Sequence, residues 1–313
     1  MRTSIWFIRI AVLFLTASVI RSQNMDSIMI EQQFANNADS ITIDTSIDAE
    51  MEADAPSPST IITNLPNDWY RWGKSALRAD NIPLITGIAV LTAFTVSVDR
   101  ETWQPFDRAY KNNNTFHNFT ETAVFVGDGK FQFGIAAAFA AYGYFGNDKR
   151  ALRTAFQTTE VILACGGVVQ LIKHATGRER PQANTARTGV WDIFPDQVKY
   201  HKSIPKYDAF PSGHFATALA TLTVIAENYP EAKWIRYVGY PALGCVAVGL
   251  VSKGMHWWSD FPLAFALGYS FGKIVSHTPV TKEVKNSSPE IMPQIGLKLN
   301  EAALPEVMFS WKL

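Results

Sequence analysis

The sequence predicts an all-α bundle of about six core helices. Six apolar segments carry that expectation: Ile82–Val98, Phe131–Phe145, Thr154–Ile172, Phe215–Ile225, Trp234–Val251 and Phe261–Val275. None of them alternates apolar and polar residues at a period of two, so none reads as a half-buried strand. They are also rich in small residues (Ala136 to Ala141, Gly166, Gly167, Gly244, Gly249) that let helices approach closely, as membrane helices do.

The chain before the bundle has a different character. Arg2 and Arg9 flank a positive start, and Ile10–Ile20 is apolar apart from Thr16 and Ser18. Such a run is short for a bilayer, so residues 1–22 read as a secretory leader with cleavage near Ser22, or as a retained anchor because Arg21 fits a cleavage site poorly. Residues 23–67 carry Asp39, Asp44, Asp48, Glu50, Glu52 and Asp54 with no Lys or Arg, and include Ala-Pro-Ser-Pro-Ser. Too little of this stretch is apolar to offset the entropy of ordering it, so it is expected to be a disordered acidic linker.

The main domain is expected over 68–280. It opens with Trp69, Tyr70 and Trp72 beside Arg71 and Lys74, an amphipathic helix suited either to a membrane interface or to packing on the bundle. The bundle is expected to associate with a membrane, with a soluble periplasmic bundle of buried helices as the alternative. Several segments fall short of about 20 apolar residues, and Glu160 and Gln170 interrupt the third. Pro181–Phe210 is a long polar loop with scattered aromatic residues, the kind that forms lids or binding loops. Residues 281–313 form a short tail whose weak alternation after Pro289 suggests a terminal hairpin.

Composition excludes some function classes. Lys+Arg and Asp+Glu are both 28, so the net charge is zero, which argues against nucleic acid as the main partner because such partners call for a basic surface. Cys165 and Cys245 lie in apolar stretches and read as packing thiols, not a disulfide framework.

Three separated stretches carry the chemistry: Lys173-His-Ala-Thr-Gly-Arg-Glu-Arg180-Pro181, Pro211-Ser212-Gly213-His214 and His256-Trp-Trp-Ser-Asp260. Phosphoryl transfer needs positioning and charge stabilisation more than covalent work from the protein. Lys173 ends an apolar helix that Gly177 can stop, and Arg180 precedes a proline that favours an extended backbone. One is a point charge and the other grips two oxygens at once. Ser212 is placed as an N-cap ahead of Phe215–Ile225, which aims the Gly213 and His214 N–H groups at an anion, and His214 is a candidate proton donor to the leaving group. His256 and Asp260 are four apart, which on a helix puts them on one face; the carboxylate would fix the imidazole tautomer and leave the other nitrogen to attack phosphorus. Each stretch alone also fits a bland reading: a basic juxtamembrane cluster, an ordinary cap, a surface His–Asp pair. His117, His174, His201 and His277 have no such partner.

Together these residues resemble the type 2 phosphatidic acid phosphatase superfamily, which includes lipid phosphatases, class A acid phosphatases and vanadium haloperoxidases. Its pattern is Lys-x6-Arg-Pro, then Pro-Ser-Gly-His, then Ser-Arg-x5-His-x3-Asp, and the first two match fully. The resemblance implies a helical core with the site at one end and, in the hydrolases, no metal or cofactor. It implies Lys173, Arg180, Ser212 and Gly213 as phosphate binders, His214 as general acid, His256 as the nucleophile and Asp260 as its orienting group. The third motif departs: the family's Ser-Arg falls at Gly249-Leu250, and Lys253, one turn on, is the candidate substitute. The expected function is hydrolysis of a phosphomonoester or pyrophosphate, lipids among the candidate substrates, outside the cytoplasm in a periplasmic or membrane-associated protein. The alternatives are a vanadium-dependent haloperoxidase, or a phosphate- or lipid-binding protein with weakened catalysis.

Overall fold

The computed structural model describes residues 59–183, 185–278, 294–299 and 305–310. The expected leader and most of the acidic linker lie outside the described residues. Helix begins earlier than anticipated, with α1 (Thr60–Thr63) and α2 (Leu65–Ala76) starting inside the stretch assigned to the linker. Tertiary anchors explain the shift. Asn64 donates to both carboxylate oxygens of Glu160 at 3.3 Å, and Trp69 Nε1 donates to the Ala164 carbonyl. Trp72 stacks on Phe271 with ring centroids 5.4 Å apart and donates to Ser270. The amphipathic helix is therefore packed on the bundle.

The long helices are α3 (Ile82–Asn112), α4 (Asn114–Gly127), α5 (Gly129–Gly146), α6 (Lys149–Thr176), α8 (Gly213–Asn228), α9 (Trp234–Ser252) and α10 (Phe261–Ser276), with a short α7 (Gln197–Lys202) in the long loop. Among the described residues these seven long helices build the all-α bundle, in line with the about six core helices expected. The added one, α4, hides behind Asn114, His117, Asn118 and Glu121. Its buried residues Thr120, Ala123, Val124 and Gly127 nevertheless recur at the spacing of one helical face. α3 also runs well past Val98, through Pro105. Asp99, which lies just past the apolar segment that ends at Val98, is fully buried because Arg178 neutralises it.

Small residues set the helix spacing, though not always the ones expected. A Cβ on Gly268 of α10 would fall 2.4 Å from the Ala216 carbonyl oxygen of α8, and one on Gly249 would fall 3.0 Å from the Thr120 carbonyl oxygen of α4. Gly244 meets nothing within 4 Å. Around these contacts Leu219, Val224, Val246, Leu250, Leu267 and Phe271 form a fully enclosed apolar core. Cys165 is buried within it, whereas Cys245 is half-buried, and both are free thiols.

Among the described residues three helical stretches, Ala79–Asn112, Lys149–Thr176 and Trp234–Ser252, are long and apolar enough to cross a membrane. Outside the bundle, β1 (Gln294–Leu299) pairs antiparallel with β2 (Pro305–Ser310), with Gln294 opposite Ser310. The C-terminal end of α6, the N-terminal ends of α8 and α10, and the loop between α6 and α8 converge, and that convergence holds all three motifs.

Candidate active site

Lys173 lies in the last turn of α6. The helix stops there because Gly177 takes a left-handed conformation (φ +50°), with its N–H on the Lys173 carbonyl. No other residue fits at 177, since a Cβ would fall 2.2 Å from the Asp192 carbonyl oxygen. Beyond the stop, Arg180 donates from Nε and Nη2 to the two oxygens of Asp208 at 2.6 and 2.5 Å. Lys173 Nζ lies 3.6 Å from the same carboxylate. Burial works to raise the Asp208 carboxyl, but the Arg180 hydrogen bonds and the Lys173 charge outweigh it and hold it below the usual range. Two cations against one carboxylate leave one net positive charge in a buried setting.

α8 starts beside this cluster. The Ser212 N–H donates to the Asp260 carbonyl at 3.1 Å, and the first helical bond runs from Ala216 N–H to Ser212 C=O. The Gly213 and His214 N–H groups therefore stand ahead of the helical ladder, at the positive end of the dipole. Gly213 packs tightly there: an added Cβ would lie 3.3 Å from Val169 and 3.8 Å from Lys173 Nζ. Ser212 occupies the N-cap position, as its sequence context suggests, but its side chain makes no capping hydrogen bond. Its Oγ is fully buried with no hydrogen-bond partner among the described residues. His214 lies half-buried, with Nε2 3.9 Å from an Asp128 carboxylate oxygen. Burial and the nearby Lys173 hold its pKa below the ordinary histidine value, with Asp128 opposing them.

His256 is almost completely enclosed, and its ring centroid lies 6.4 Å from that of His214. The same-face helix expected for His256 and Asp260 is not what forms. His256 and Trp257 are in a loop, and Trp258–Asp260 is a single 3₁₀ turn leading into α10. The orienting acceptor also differs. His256 Nδ1 lies 2.7 Å from the Ala209 carbonyl and 3.4 Å from Asp260 Oδ2. A carbonyl only accepts, so Nδ1 carries the proton and Nε2 keeps its lone pair. Burial, then the charge of Lys173, keeps the ring neutral by pushing its pKa well below the ordinary value.

Asp260 does its main work elsewhere. It accepts from Arg178 Nη1 at 2.5 Å and from the Trp257 N–H at 2.7 Å. Arg178 Nη2 binds Asp99 at 2.7 Å, and Ser259 bridges Asp99 and Arg178. Arg178 and Asp99 are both fully buried, with the Trp191 ring 4.6 Å from the guanidinium. Burial raises the Asp260 carboxyl to about 6 despite the opposing Arg178 charge. Asp260 thus ties the third motif to the first, and through its carbonyl to the second.

Sequence reasoning missed three contributors. Asp208, four residues before Ser212, carried no signal beyond being a charge beside an apolar Ala-Phe-Pro. Arg178 reads as one more member of a basic cluster, and Asp99 lies just past the apolar segment that ends at Val98. Lys253 is not free for the role considered for it. Its ammonium donates to Glu121 at 2.8 Å, because α9 ends at Ser252 where α4 passes. That charge and the Tyr110 hydroxyl hold the Glu121 carboxyl below its ordinary value. Leu250, at the position of the family's arginine, is wholly inside the core. Trp257 is a packing residue, edge-on to Trp103, and His174 stacks on Tyr200.

The model of the PAP2 superfamily matches residues 154–283. A lipid A 1-phosphatase of Porphyromonas gingivalis is 25% identical over 134 residues, which is 42% of this chain and 25% of that protein. The chain therefore spans about a quarter of that curated relative's length. Among solved structures, a transmembrane PAP2-type phosphatidylglycerolphosphate phosphatase from Bacillus subtilis is 14% identical with a TM-score of 0.37, covering 70% of this chain and 93% of that one. The matched stretch takes in all three motifs that the bundle gathers at one end, so over residues 154–283 the chain is similar to the PAP2 superfamily.

Proposed function

We propose that this protein is a phosphatase acting on a phosphomonoester or pyrophosphate, with a lipid as the carrier, through a phosphohistidine on His256. The observation that carries the reading is the His256 Nδ1–H bond to the Ala209 carbonyl, which leaves Nε2 unprotonated on a ring whose centroid lies 6.4 Å from that of His214. In the first step Nε2 attacks phosphorus, the P–O bond to the leaving group breaks, and the alkoxide takes a proton from His214. In the second step a water gives its proton to His214 and its oxygen to phosphorus, and the P–N bond breaks back to His256. Lys173, Arg180, the Gly213 and His214 N–H groups and the Ser212 hydroxyl stabilise the equatorial oxygens. A bound dianion would offset the Lys173 and Arg180 charges that depress His214, which favours its protonated form at the moment it must act as an acid.

Membrane association is part of the proposal. α3 buries only Asp99 and Trp103, while Leu84, Val90 and Phe94 are exposed along it, as expected of a helix that faces lipid. Its length and those of α6 and α9 suit a bilayer crossing. The curated relative's name points to a phosphate carried on a lipid. A secretory leader at 1–22 would put the site on the exported side.

The test is turnover of p-nitrophenyl phosphate, phosphatidic acid and isoprenyl pyrophosphate by purified protein, with His256→Ala as control. Acid-labile, base-stable radiolabel should accumulate on the wild type during turnover of a labelled substrate. Equal activity in the control would refute the phosphohistidine.

A further inference from the structure

We propose that the tip of the loop between α6 and α8 is an interfacial wedge that seats the mouth of the site at the headgroup layer of an anionic bilayer. Ile193, Phe194 and Val198 are 60%, 78% and 63% exposed, three large apolar side chains within six residues of a loop whose neighbours are polar. Phe194 also takes a left-handed backbone (φ +54°), a conformation that a bulky aromatic residue avoids. Its N–H is fixed on the Ala175 carbonyl at 2.8 Å, and the Asp192 N–H is fixed on the Gly177 carbonyl. These bonds hold the aromatic ring outward and pin the tip to the last turn of α6.

That position selects the partner. α6 is one of the three span-length helices, and Leu171, in its last two turns, is 70% exposed. If α6 crosses a bilayer, its C-terminal end marks the boundary where aromatic side chains concentrate. The wedge rests on that membrane reading. Lys199, Lys202 and Lys206 follow the apolar residues and are exposed, while the Asp196 carboxylate is engaged by the Val198 and Lys199 N–H groups as the cap of α7. Apolar side chains beside exposed lysines match a surface of acyl chains under anionic headgroups. The loop is also rigidly joined to the chemistry, since the Arg180 N–H binds the Pro205 carbonyl and the Ala209 N–H binds the Arg178 carbonyl. The depth of the tip therefore sets the height of Arg180 and Asp208, and the protein takes substrate phosphate from the headgroup layer.

The experiment places an environment-sensitive fluorophore on Phe194→Cys in a Cys245→Ser background, leaving buried Cys165 in place, in full-length protein reconstituted into phosphatidylcholine–phosphatidylglycerol vesicles. A second label on Val198→Cys covers the case in which the first variant does not fold. The wedge requires blue-shifted emission and at least twofold quenching by nitroxide lipids labelled near the headgroup. Water-like, unquenched emission at both positions overturns it. So does a label shielded from water and lipid quenchers alike with a changed oligomeric state, which would assign the patch to a second copy. The paired kinetic test is Ile193→Ser/Phe194→Asn: hydrolysis of vesicle-borne phosphatidic acid should fall about tenfold while p-nitrophenyl phosphate turnover stays within twofold. Equal losses on both substrates count against the wedge. A quenched label on a protein with no turnover would leave the wedge standing and sink the phosphatase reading; a water-exposed label on an active enzyme would do the reverse.

Discussion

Replacing Ser212 with alanine should make the protein more stable and less active at once. Ser→Ala at a helix N-cap ordinarily costs about 0.5–2 kcal/mol, because the side-chain oxygen satisfies a free backbone N–H. At Ser212 that loss does not arise, since the oxygen caps nothing and is buried without a partner among the described residues. A buried, unsatisfied hydroxyl costs about 1–3 kcal/mol, so its removal should stabilise the fold by about 1 kcal/mol. For a domain of this size that raises Tm by about 2–4 °C. The same hydroxyl is proposed to donate to a charged phosphate oxygen, a bond worth about 1.5–3 kcal/mol. If it is made in the transition state, kcat/KM should drop about 10- to 150-fold. Differential scanning fluorimetry in detergent and steady-state kinetics on p-nitrophenyl phosphate read both effects. A lower Tm would mean that the hydroxyl serves the fold, and an unchanged kcat/KM would remove it from the phosphate site.

Arg178→Met should be severely destabilising, by about 3–5 kcal/mol, because it leaves Asp99 and Asp260 buried with no countercharge; chemical denaturation of this variant and of Arg178→Lys, which cannot reproduce the fork, measures it, and wild-type stability in either would refute the network. Lys253→Ala should leave kcat/KM within about twofold and cost under about 1 kcal/mol, since its partly exposed pair with Glu121 is a surface interaction; a tenfold kinetic loss would return Lys253 to the site. The two buried motif histidines should subtract stability as pH drops from 7 to 6. Burial and Lys173 hold His214 and His256 below the ordinary 6.5, so their contribution is fully present above that value and is lost as the unfolded chain protonates first. Asp260 has the opposite sign: raised from 3.8 to about 6, it adds stability as pH falls through 6 toward 3.8. A His214→Gln/His256→Gln variant should flatten Tm against pH between 7 and 6, and an undiminished slope would contradict the buried neutral pair.

The helical class was legible because it rests on local information. Apolar runs without two-residue alternation and Gly177 as a stop sit within one element each, so neighbours in sequence suffice to read them. The face of α4 could also have been read, since Thr120, Ala123, Val124 and Gly127 carry the helical period, but the polar residues between them dilute the signal. Small residues were legible as a type and not as contacts. Gly249 faces α4 closely, Gly244 faces open space, and only the rotation of α9 against its neighbours distinguishes them.

The candidate site divides along the same line. By itself the sequence determined the residue types and their spacing: the Lys173–Arg180 pair, the Ser212–His214 helix start, and His256 with Asp260. The tertiary structure decided who partners whom. It turned the His256 proton toward the Ala209 carbonyl, gave Asp260 to Arg178, tied Lys253 to Glu121, and set Asp208 between Lys173 and Arg180. Asp99 and Arg178 are 79 residues apart, and Glu121 and Lys253 are 132 apart. A charge buried by folding must find its counterion among whatever side chains the packing brings within about 3 Å. That neighbour is set by helix crossings, and helix crossings are not written in the local sequence on either side.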